Sequence, residues 1–302
     1  MLSGYKNCPT FYQLRHVKGW RGQGTALPLI FGLCWHDAMD VVWTQAKNFN
    51  QTELSQLAQL KFKETWVANG LPEELTPEQI ENFGFRIPPV AGEMLFHYIE
   101  QRWKMLQACE LVACEQPFAV PIPGMPDAWY IGRLDKVIHY NGELLIIEHK
   151  TTSEYKKDGG FKTTYLESWY SEAQVKGYQF GGSLFFSGAK QVWVDCALVH
   201  KTVHDKFRFV PVEHPFPILE EWIKDSVEWI TRVQQDTARA YFPKNENSCV
   251  GKYGPCPMLS ICRTTNSPGQ LDEPPEGYIV DRWSPFDILG LEKLLNKDPQ
   301  NA

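Results

Sequence analysis

Residues 131–152 have the sequence IGRLDKVIHY-NG-ELLIIEHKTT, and this stretch decides the fold that the rest of the chain completes. Two runs of apolar and β-branched residues flank Asn141-Gly142, the strongest short signal for a two-residue hairpin turn. The sequence therefore predicts two antiparallel strands, 128–140 and 143–152. With the Asn-Gly pair as the loop, Tyr140 pairs with Glu143, and this pairing sets the register of the whole hairpin.

The register brings three charged side chains together. Counting back from the turn, Asp135 lies directly opposite Glu148, at a Cβ separation of about 4.5–5.5 Å. Since side chains alternate between the faces of a strand, Lys150 lies on the same face as Glu148. Opposed carboxylates destabilise a sheet, and a hard cation such as Mg²⁺ between them removes that cost. Such an ion can generate a nucleophilic hydroxide and stabilise charge on a phosphate, with Lys150 orienting the water or neutralising the developing charge.

The same hairpin face also fits an exposed surface with an ordinary Glu–Lys ion pair. Two further features favour a functional site. Gln174 and Tyr178 are four residues apart in a predicted helix, so their side chains share one helix face. His36 lies in a predicted helix near the N-terminus, and neutral imidazole is a common metal ligand. Taken separately, such a histidine is more often a core residue, and such a Gln–Tyr pair is more often a plain polar face.

Three of the eight cysteines cluster in a Gly- and Pro-rich segment near the C-terminus: Cys249, Cys256 and Cys262. Cys8, followed by Pro9, stands far from them in sequence. Three clustered cysteines and a distant fourth can form a four-thiolate site, and thiolates select iron–sulfur clusters or Zn²⁺. Such a site would join the two ends of the chain and stabilise the fold only with metal bound. The remaining cysteines lie in apolar surroundings and are expected to be buried thiols.

Length and composition indicate an ordinary globular protein. The chain has 302 residues, 22% charged and 43% hydrophobic, with a formal net charge of -6. No run approaches the roughly 20 apolar residues of a membrane span, and the first residues lack the apolar region of a signal peptide. We therefore expect a cytoplasmic protein without membrane contact. Its net acidity requires any nucleic-acid contact to use a local basic patch.

The remaining patterns predict a helical N-terminal part, a sheet core and a long C-terminal helix. Predicted helices span 28–51, 90–107, 165–181 and 216–242, and further predicted strands span 109–120, 191–200 and 206–212. Residues 9–28 are predicted to be irregular, and residues 69–90 to form loop or short helix. Residues 1–25 carry four basic residues and no acid, whereas the segment from 264 onward holds seven acids. We expect that segment to be a solvated tail.

The order of these motifs resembles the PD-(D/E)XK nucleases of the RecB-like branch. More narrowly, it is similar to the iron–sulfur members: the nuclease domain of AddB, the CRISPR adaptation exonucleases and related phage exonucleases. The matching stretches are Cys8-Pro9, Gly32-Leu-Cys-Trp-His36, Gly132-Arg-Leu-Asp135, Ile147-Glu-His-Lys-Thr151, Gln174-Val-Lys-Gly-Tyr178, and Cys249 with Tyr253-Gly-Pro-Cys256 and Cys262. No single motif is specific to this family, but the presence of all six in the family's order is. The family's "PD" is Leu134-Asp135 here, and six residues separate Cys249 from Cys256 where many members have a tighter spacing.

The resemblance implies an α/β fold with a mixed β-sheet core of the restriction-endonuclease-like type flanked by helices. The N- and C-terminal segments are joined by the four-cysteine cluster. It implies one nuclease domain over 1–264, made of a helical part (28–107), a catalytic sheet core (108–215) and a long helix with the cysteine loop (216–264). The acidic tail occupies 265–302.

The resemblance also implies a role for each matched residue. His36, Asp135 and Glu148, with the backbone carbonyl of His149, would bind Mg²⁺ or Mn²⁺, and Lys150 would be the catalytic lysine. Gln174 and Tyr178 would line the site and position DNA. The cysteines would hold a 4Fe-4S cluster, with Zn²⁺ as the alternative: Cys8, Cys249, Cys256 and Cys262. Glu115, in Glu-x-Pro-Phe before the core strands, stands where relatives often have an acid.

The function implied is a metal-dependent DNA exonuclease that acts on single strands or duplex ends in recombination, repair or phage DNA processing. Since no Gly-x-x-x-x-Gly-Lys-Ser/Thr motif occurs, the chain has no obvious ATP-driven motor. It would degrade ends alone or beside a separate helicase or annealing protein, in a bacterial or phage-infected host cytosol. The alternatives are a structure-selective endonuclease with the same core, and a non-catalytic DNA-binding or complex-assembly protein.

Overall fold

The structure, a computed structural model, describes residues 1–156, 160–251, 254–282 and 284. The chain divides into two units. The sheet unit comprises residues 25–120 and 130–219, and the terminal unit comprises residues 1–24, 121–129 and 220–302. Within the described residues, no helix is both long enough and apolar enough to cross a membrane.

Groups of consecutive helices and groups of consecutive strands follow one another along the described chain. The α-helices are α1 (Leu2–Asn7), α2 (Pro9–Tyr12), α3 (Leu27–Gln45), α4 (Gln51–Ala68), α5 (Pro77–Phe83), α6 (Pro88–Ala108), α7 (Thr163–Ser168), α8 (Ala173–Phe185), α9 (Phe216–Ala238) and α10 (Leu259–Thr264). The strands are β1 (Trp20–Gly22), β2 (Glu110–Ile122), β3 (Met125–Tyr140), β4 (Glu143–Thr152), β5 (Gln191–Leu198), β6 (Phe207–Val212), β7 (Val250–Gly251), β8 (Gly254–Pro255) and β9 (Tyr278–Val280).

The predicted hairpin forms the centre of a five-stranded mixed sheet with the order β2-β3-β4-β5-β6. Asn141 and Gly142 have φ angles of 51° and 83°, the left-handed backbone that a two-residue turn of this kind requires. Tyr140 pairs with Glu143, and the pairing continues to Lys136 opposite Ile147. The predicted register is therefore confirmed for residues 136–147.

β4 and β5 are parallel, which explains the helices between them. Parallel strands need a long crossover connection, and here the crossover contains α7 and α8. One continuous helix was expected over 165–181, but the structure has two, separated at residues 169–172. α8 packs closely on the sheet at Gly181 and Gly182, where no side chain separates the helix from the sheet. A Cβ atom at Gly181 would overlap Phe118, and one at Gly182 would overlap Ile146.

The sheet unit buries apolar side chains on both sheet faces. Ile138, Leu145 and Ile147 belong to one core with α3, α4 and α6. Residues of the opposite parity, such as Val137 and Ile146, belong to a second core with α8. A fully buried side chain of this size stabilises the fold by about 1.5–3 kcal/mol. The sheet unit is thus a mixed sheet flanked by helices, as expected.

The helical part of the sheet unit differs from the prediction in one place. The helix expected over 28–51 ends at Gln45, and α4, which the apolar pattern did not predict, follows. The side chain of Asn50 accepts hydrogen bonds from the backbone N–H groups of Thr52 and Glu53, both at 3.0 Å. The Glu53 side chain in turn accepts a hydrogen bond of 3.2 Å from the Asn50 N–H. This second bond completes a capping box at the start of the new helix.

The terminal unit joins residues from both ends of the described chain. Residues 9–28 are not irregular as expected: they contain α2, a π-helical turn at Gln13–Val17, and β1. β1 pairs antiparallel with β9, so residues 278–280 are not part of a solvated tail. Arg21 Nε lies 2.5 Å from Asp281 Oδ2, which pairs the basic N-terminal segment with an acid of the C-terminal one. Residues 285–302 of the expected tail lie outside the described residues.

Candidate functional site

Asp135, near the middle of β3, connects β4 to α3. Its Oδ2 atom accepts a hydrogen bond of 2.8 Å from the backbone N–H of His149 and lies 3.2 Å from His36 Nδ1. Asp135 is buried, at 5% exposure. The hairpin register places Asp135 beside β4, whereas the packing of α3 on the sheet supplies the histidine. The structure therefore brings together two residues that are 99 positions apart.

Glu148, on β4, lies at the centre of a second set of polar contacts. Its Oε1 atom accepts hydrogen bonds from Lys150 Nζ at 2.5 Å and from Gln174 Nε2 at 3.0 Å. Gln174 Nε2 also lies 2.8 Å from the Tyr178 hydroxyl oxygen, as expected for neighbours on one helix face. The Oε2 atom of Glu148 is buried and has no hydrogen-bond partner among the described residues.

The pKa values of Asp135 and Glu148 are shifted in opposite directions. Burial, and then the negative charge of Asp135, raise the pKa of Glu148 to about 7. The pKa of Asp135 is lowered although burial opposes ionisation, because His36 provides a nearby positive charge and a hydrogen bond. The pKa of Lys150 is raised because the charge of Glu148 outweighs the desolvation of the ammonium group. Asp135 therefore ionises readily, whereas Glu148 retains its proton to a higher pH than a free glutamate does.

Glu115 completes a possible cation site that sequence analysis placed only loosely. His36, Glu115 and Asp135 each offer one ligand atom, and these atoms lie within 4.8 Å of one another. Glu115 has a φ of 50°, unusual for a residue other than glycine. Such backbone positions cluster at functional sites. Burial and the charge of Asp135 raise its pKa.

Two basic residues hold Glu115 in place. Arg133 Nε lies 2.6 Å from its Oε2 atom, and Lys136 Nζ lies 3.8 Å from its Oε1 atom. Lys136 is completely buried, and its main partner is Asp40 on α3, at 2.6 Å. Sequence reasoning did not identify Lys136 or Asp40. The available signal was a lysine directly after Asp135, within a mostly apolar strand sequence.

His149 directs its side chain to the opposite face of the sheet. Its Nδ1 atom lies 3.3 Å from Asp195 Oδ2 on the neighbouring strand β5. Asp195 also accepts a hydrogen bond of 2.6 Å from the Tyr98 hydroxyl and one of 3.2 Å from Arg102. Burial lowers the pKa of His149, which keeps its imidazole neutral. Only the backbone of His149 therefore lies on the Asp135 side.

The side chains present fit a divalent cation with oxygen and nitrogen ligands. Glu148 Oε2 and Glu115 Oε1 are buried and have no hydrogen bond among the described residues. A buried carboxylate oxygen that accepts no hydrogen bond needs an explanation such as a bound ion. Carboxylates with one imidazole suit Mg²⁺ or Mn²⁺ rather than a soft metal.

The four cysteines predicted to bind a metal lie in the terminal unit and line one cavity of about 290 Å³, together with apolar side chains such as Phe11 and Met258. The short β7–β8 pair brings two of them together, because the Cys256 N–H donates to the Cys249 carbonyl oxygen at 2.8 Å. Tyr253 of the quoted motif lies outside the described residues.

Two side chains of the cysteine loop attach it to the N-terminus beside Cys8. Asn245 Nδ2 and Ser248 Oγ each donate a 2.7 Å hydrogen bond to the carbonyl oxygen of Asn7. Burial, and then the nearby Cys8 and Cys249, raise the pKa of the Cys256 thiol. A metal would relieve the repulsion between neighbouring thiolates, so the cavity fits a thiolate-bound group.

Comparison with known proteins gives the family. The model of the PD-(D/E)XK nuclease superfamily matches residues 1–263. Among solved structures, a protein from Eubacterium rectale named "Putative exonuclease" is similar over 95% of this chain and 91% of that one, with a TM-score of 0.50 and 12% sequence identity. At that identity the likeness shows the fold alone. None of the curated proteins matches the chain. Because the family model covers most of the sequence, the chain belongs to the PD-(D/E)XK nuclease superfamily.

Proposed function

We propose that this nuclease is a metal-dependent DNA exonuclease of the RecB-like iron–sulfur branch. The observation that supports the proposal most directly is the pair of buried carboxylates Asp135 and Glu148, with an unpaired Glu148 oxygen and Lys150 beside it. Its substrate would be single-stranded or duplex DNA ends, in recombination, repair or phage DNA processing. The branch and the exonuclease activity rest on the motif order.

The proposed ligands of Mg²⁺ or Mn²⁺ are His36, Asp135, Glu148 and the backbone carbonyl of His149, to which the geometry adds Glu115. A divalent cation at this place activates a water molecule and stabilises negative charge on a phosphate. The hydrogen bond from the His149 N–H fixes the Asp135 carboxylate, and His36 approaches the same oxygen. These contacts hold the ligands before substrate arrives, which reduces the reorganisation that the reaction requires.

Lys150 is proposed as the catalytic lysine. Its ammonium group is about a quarter exposed, whereas Glu148 is almost completely buried. The lysine is therefore held by a buried carboxylate and remains open to substrate on its other side. Its raised pKa keeps it charged, so it would orient the attacking water or neutralise charge that develops on the phosphate.

Gln174 and Tyr178 are proposed to line the site and position DNA. Gln174 donates to Glu148 Oε1 and approaches the Tyr178 hydroxyl oxygen, so it links α8 to the catalytic strand. Replacing Gln174 with alanine is expected to lower the rate of hydrolysis about tenfold, because a hydrogen bond to a charged group contributes about 1.5–3 kcal/mol. The measurement is single-turnover cleavage at saturating metal.

Ser183→Ala provides the matched control for Gln174→Ala. Ser183 is exposed on the same helix, and its hydroxyl donates a hydrogen bond of 2.9 Å to the Phe180 carbonyl oxygen within α8. Its substitution is expected to leave the cleavage rate within about twofold of wild type. Equal rates for Gln174→Ala and Ser183→Ala would show that Gln174 does not position Glu148.

The proposed function is tested with end-labelled DNA, single- and double-stranded, in Mg²⁺ or Mn²⁺ and in EDTA. We expect metal-dependent degradation from ends, and 5′ and 3′ labels will give the direction. Lys150→Ala is expected to reduce the rate about 100-fold, the usual effect of removing one electrostatic contact to a transition state. Retained binding by this variant would separate catalysis from DNA affinity.

Covalently closed circular DNA distinguishes the alternatives. Cleavage of circles as fast as of linear DNA would identify an endonuclease with the same core. Binding without cleavage by metal-loaded wild type would identify a DNA-binding or assembly protein. We further propose a cytoplasmic location. Since no motor motif occurs in the chain, we propose that the protein acts alone or beside a separate helicase or annealing protein.

A 4Fe-4S cluster is proposed at Cys8, Cys249, Cys256 and Cys262. The motif order supports it over zinc. Tetrahedral Zn²⁺ with bonds of about 2.3 Å needs thiolates about 3.8 Å apart. Among the described residues, no three cysteine sulfur atoms lie within 4.8 Å of one another.

A further inference from the structure

Arg86 lies in the sheet unit between α5 and α6 and has an unusual environment. Its guanidinium Nη2 donates a hydrogen bond of 2.8 Å to Ser153 Oγ, and its Cζ lies 5.2 Å from the centre of the Phe85 ring. The side chain is neither fully buried nor free in solvent. These contacts hold the guanidinium in one place, but both partners are neutral.

Among the described residues, no carboxylate forms an ion pair with Arg86. Burial lowers its pKa, and no neighbouring negative charge offsets that effect. α6 begins two residues later, at Pro88, with Ile87 as its N-cap, and its first turn contains no acidic residue and no side-chain cap. The positive end of a helix dipole thus adds to the uncompensated charge. A partly desolvated guanidinium of this kind favours an anionic ligand.

The position of Ser153 relates this charge to the catalytic strand. Ser153 follows Lys150 by three residues, which corresponds to about 10 Å of extended chain. α3 approaches the same end of β4. A Cβ atom added at Gly32 would lie 3.8 Å from Thr151 Oγ1, which shows how near the helix is. Gly32 precedes His36 by one helical turn. Arg86 and the candidate cation site therefore flank the last residues of β4.

We infer that Arg86 binds a backbone phosphate of the DNA substrate, and that Ser153 holds its guanidinium in place. The inference rests on the proposed function, since it takes the DNA strand to run along the end of β4. Successive phosphates advance by about 3.4 Å along one strand of a duplex. Because Ser153 follows Lys150 by only three residues, the contacted phosphate would lie within a few nucleotides of the cleaved bond. A guanidinium can bind two phosphate oxygens at once.

The first test measures DNA binding in EDTA, where cleavage is not required. Arg86→Ala is expected to weaken binding about tenfold and to lower the salt dependence by about one phosphate contact. Arg86→Lys is expected to restore part of the affinity, because it keeps the charge and loses the two-oxygen geometry. Arg208→Ala, an exposed arginine of β6, serves as the matched control and is expected to bind like wild type.

The second test uses oligonucleotides in which one phosphate at a time, up to three nucleotides on either side of the cleaved bond, is a neutral methylphosphonate. One position is expected to weaken wild-type binding about tenfold and to cause no further loss in Arg86→Ala. Additive losses at every position, or unchanged affinity and salt dependence in Arg86→Ala, would overturn the inference. If Arg86→Ala does not fold, the same comparison is made with Arg86→Lys.

The two tests separate this inference from the proposed function. Absence of cleavage by metal-loaded wild type on unmodified DNA would contradict the nuclease proposal, while the binding scan would still report on Arg86. Normal cleavage without a sensitive phosphate would contradict the Arg86 site alone. A purely structural role for Arg86 would lower the melting temperature without selecting one phosphate.

Discussion

Asparagine in place of Asp135 is expected to reduce metal-dependent DNA hydrolysis by about 10³–10⁴-fold. Aspartate and asparagine have nearly the same shape, so the substitution removes the charge and little else. The His149 N–H can still donate to the remaining side-chain oxygen. Loss of metal-based charge stabilisation worth several kcal/mol corresponds to a rate loss of this size.

The charge of Asp135 also determines the state of its neighbours. It raises the pKa of Glu148, and it supports the protonated form of His36 against burial. In Asp135→Asn, Glu148 would lose a repulsive neighbour, and the candidate cation site would lose one carboxylate. We therefore expect weaker Mn²⁺ binding as well as slower chemistry, measured by metal titration and by single-turnover cleavage of end-labelled DNA.

Asp127→Asn is the control for this substitution. Asp127 lies on the same strand but is exposed and has no ion pair among the described residues. Its replacement is expected to leave the cleavage rate within about twofold of wild type. A comparable loss in both variants would indicate a general effect of charge on β3. Full activity of Asp135→Asn would exclude the carboxylate pair as the catalytic centre.

The hairpin that carries Asp135, Glu148 and Lys150 could be predicted because its determinants are local. Asn141-Gly142 sets the turn, and the period of two along each strand then places Asp135, Glu148 and Lys150. The Gln174–Tyr178 neighbourhood is local for the same reason. The break between α7 and α8 falls before both residues, so the error in the predicted helix did not affect their shared face.

The positions of His36 and Glu115 depend on tertiary packing and have weaker sequence signals. His36 reaches Asp135 only because α3 packs on the sheet. Glu115 is directed by a left-handed backbone conformation within β2 and by contacts with Arg133 and Lys136. Neither a period-two pattern nor a spacing rule indicates such a conformation in a strand. Glu115 became a candidate only through the motif resemblance, and His36 had besides it only the general metal-binding ability of an imidazole.

Two errors had usable signals. Asn50-x-x-Glu53 is a capping-box pattern, and it marks the start of α4 that apolar spacing alone did not reveal. The second signal was the opposite charge of the two ends of the chain, which was not interpreted as a sign that the ends pair. Arg21 and Asp281 pair directly, and β1 pairs with β9. Pairing between residues about 260 positions apart depends on the assembled terminal unit, so composition alone suggested a solvated tail.

Serine in place of Cys256 is expected to remove the proposed cluster and strongly destabilise the protein. Four cysteines line one cavity, and the core beside them is small, with Leu14, Trp20, Met258 and Ile261 as its buried apolar residues. A small core contributes limited stability, whereas structural metal binding contributes about 10–16 kcal/mol in small metal-dependent domains. Loss of one thiolate is therefore expected to lower the melting temperature on the order of 10 °C.

The measurement compares iron, sulfide and zinc content, visible absorbance and thermal unfolding after anaerobic purification. Cys109→Ser is the control, because Cys109 is buried in the sheet unit and lies outside the cysteine cavity. We expect wild type and Cys109→Ser to contain iron and sulfide, and Cys256→Ser to lack both. Stoichiometric zinc in colourless wild type would replace the cluster with a zinc site. A metal-free wild type with the melting temperature of Cys256→Ser would show that hydrogen bonds such as those to Asn7, rather than a thiolate-bound metal, join the N-terminus to the cysteine loop.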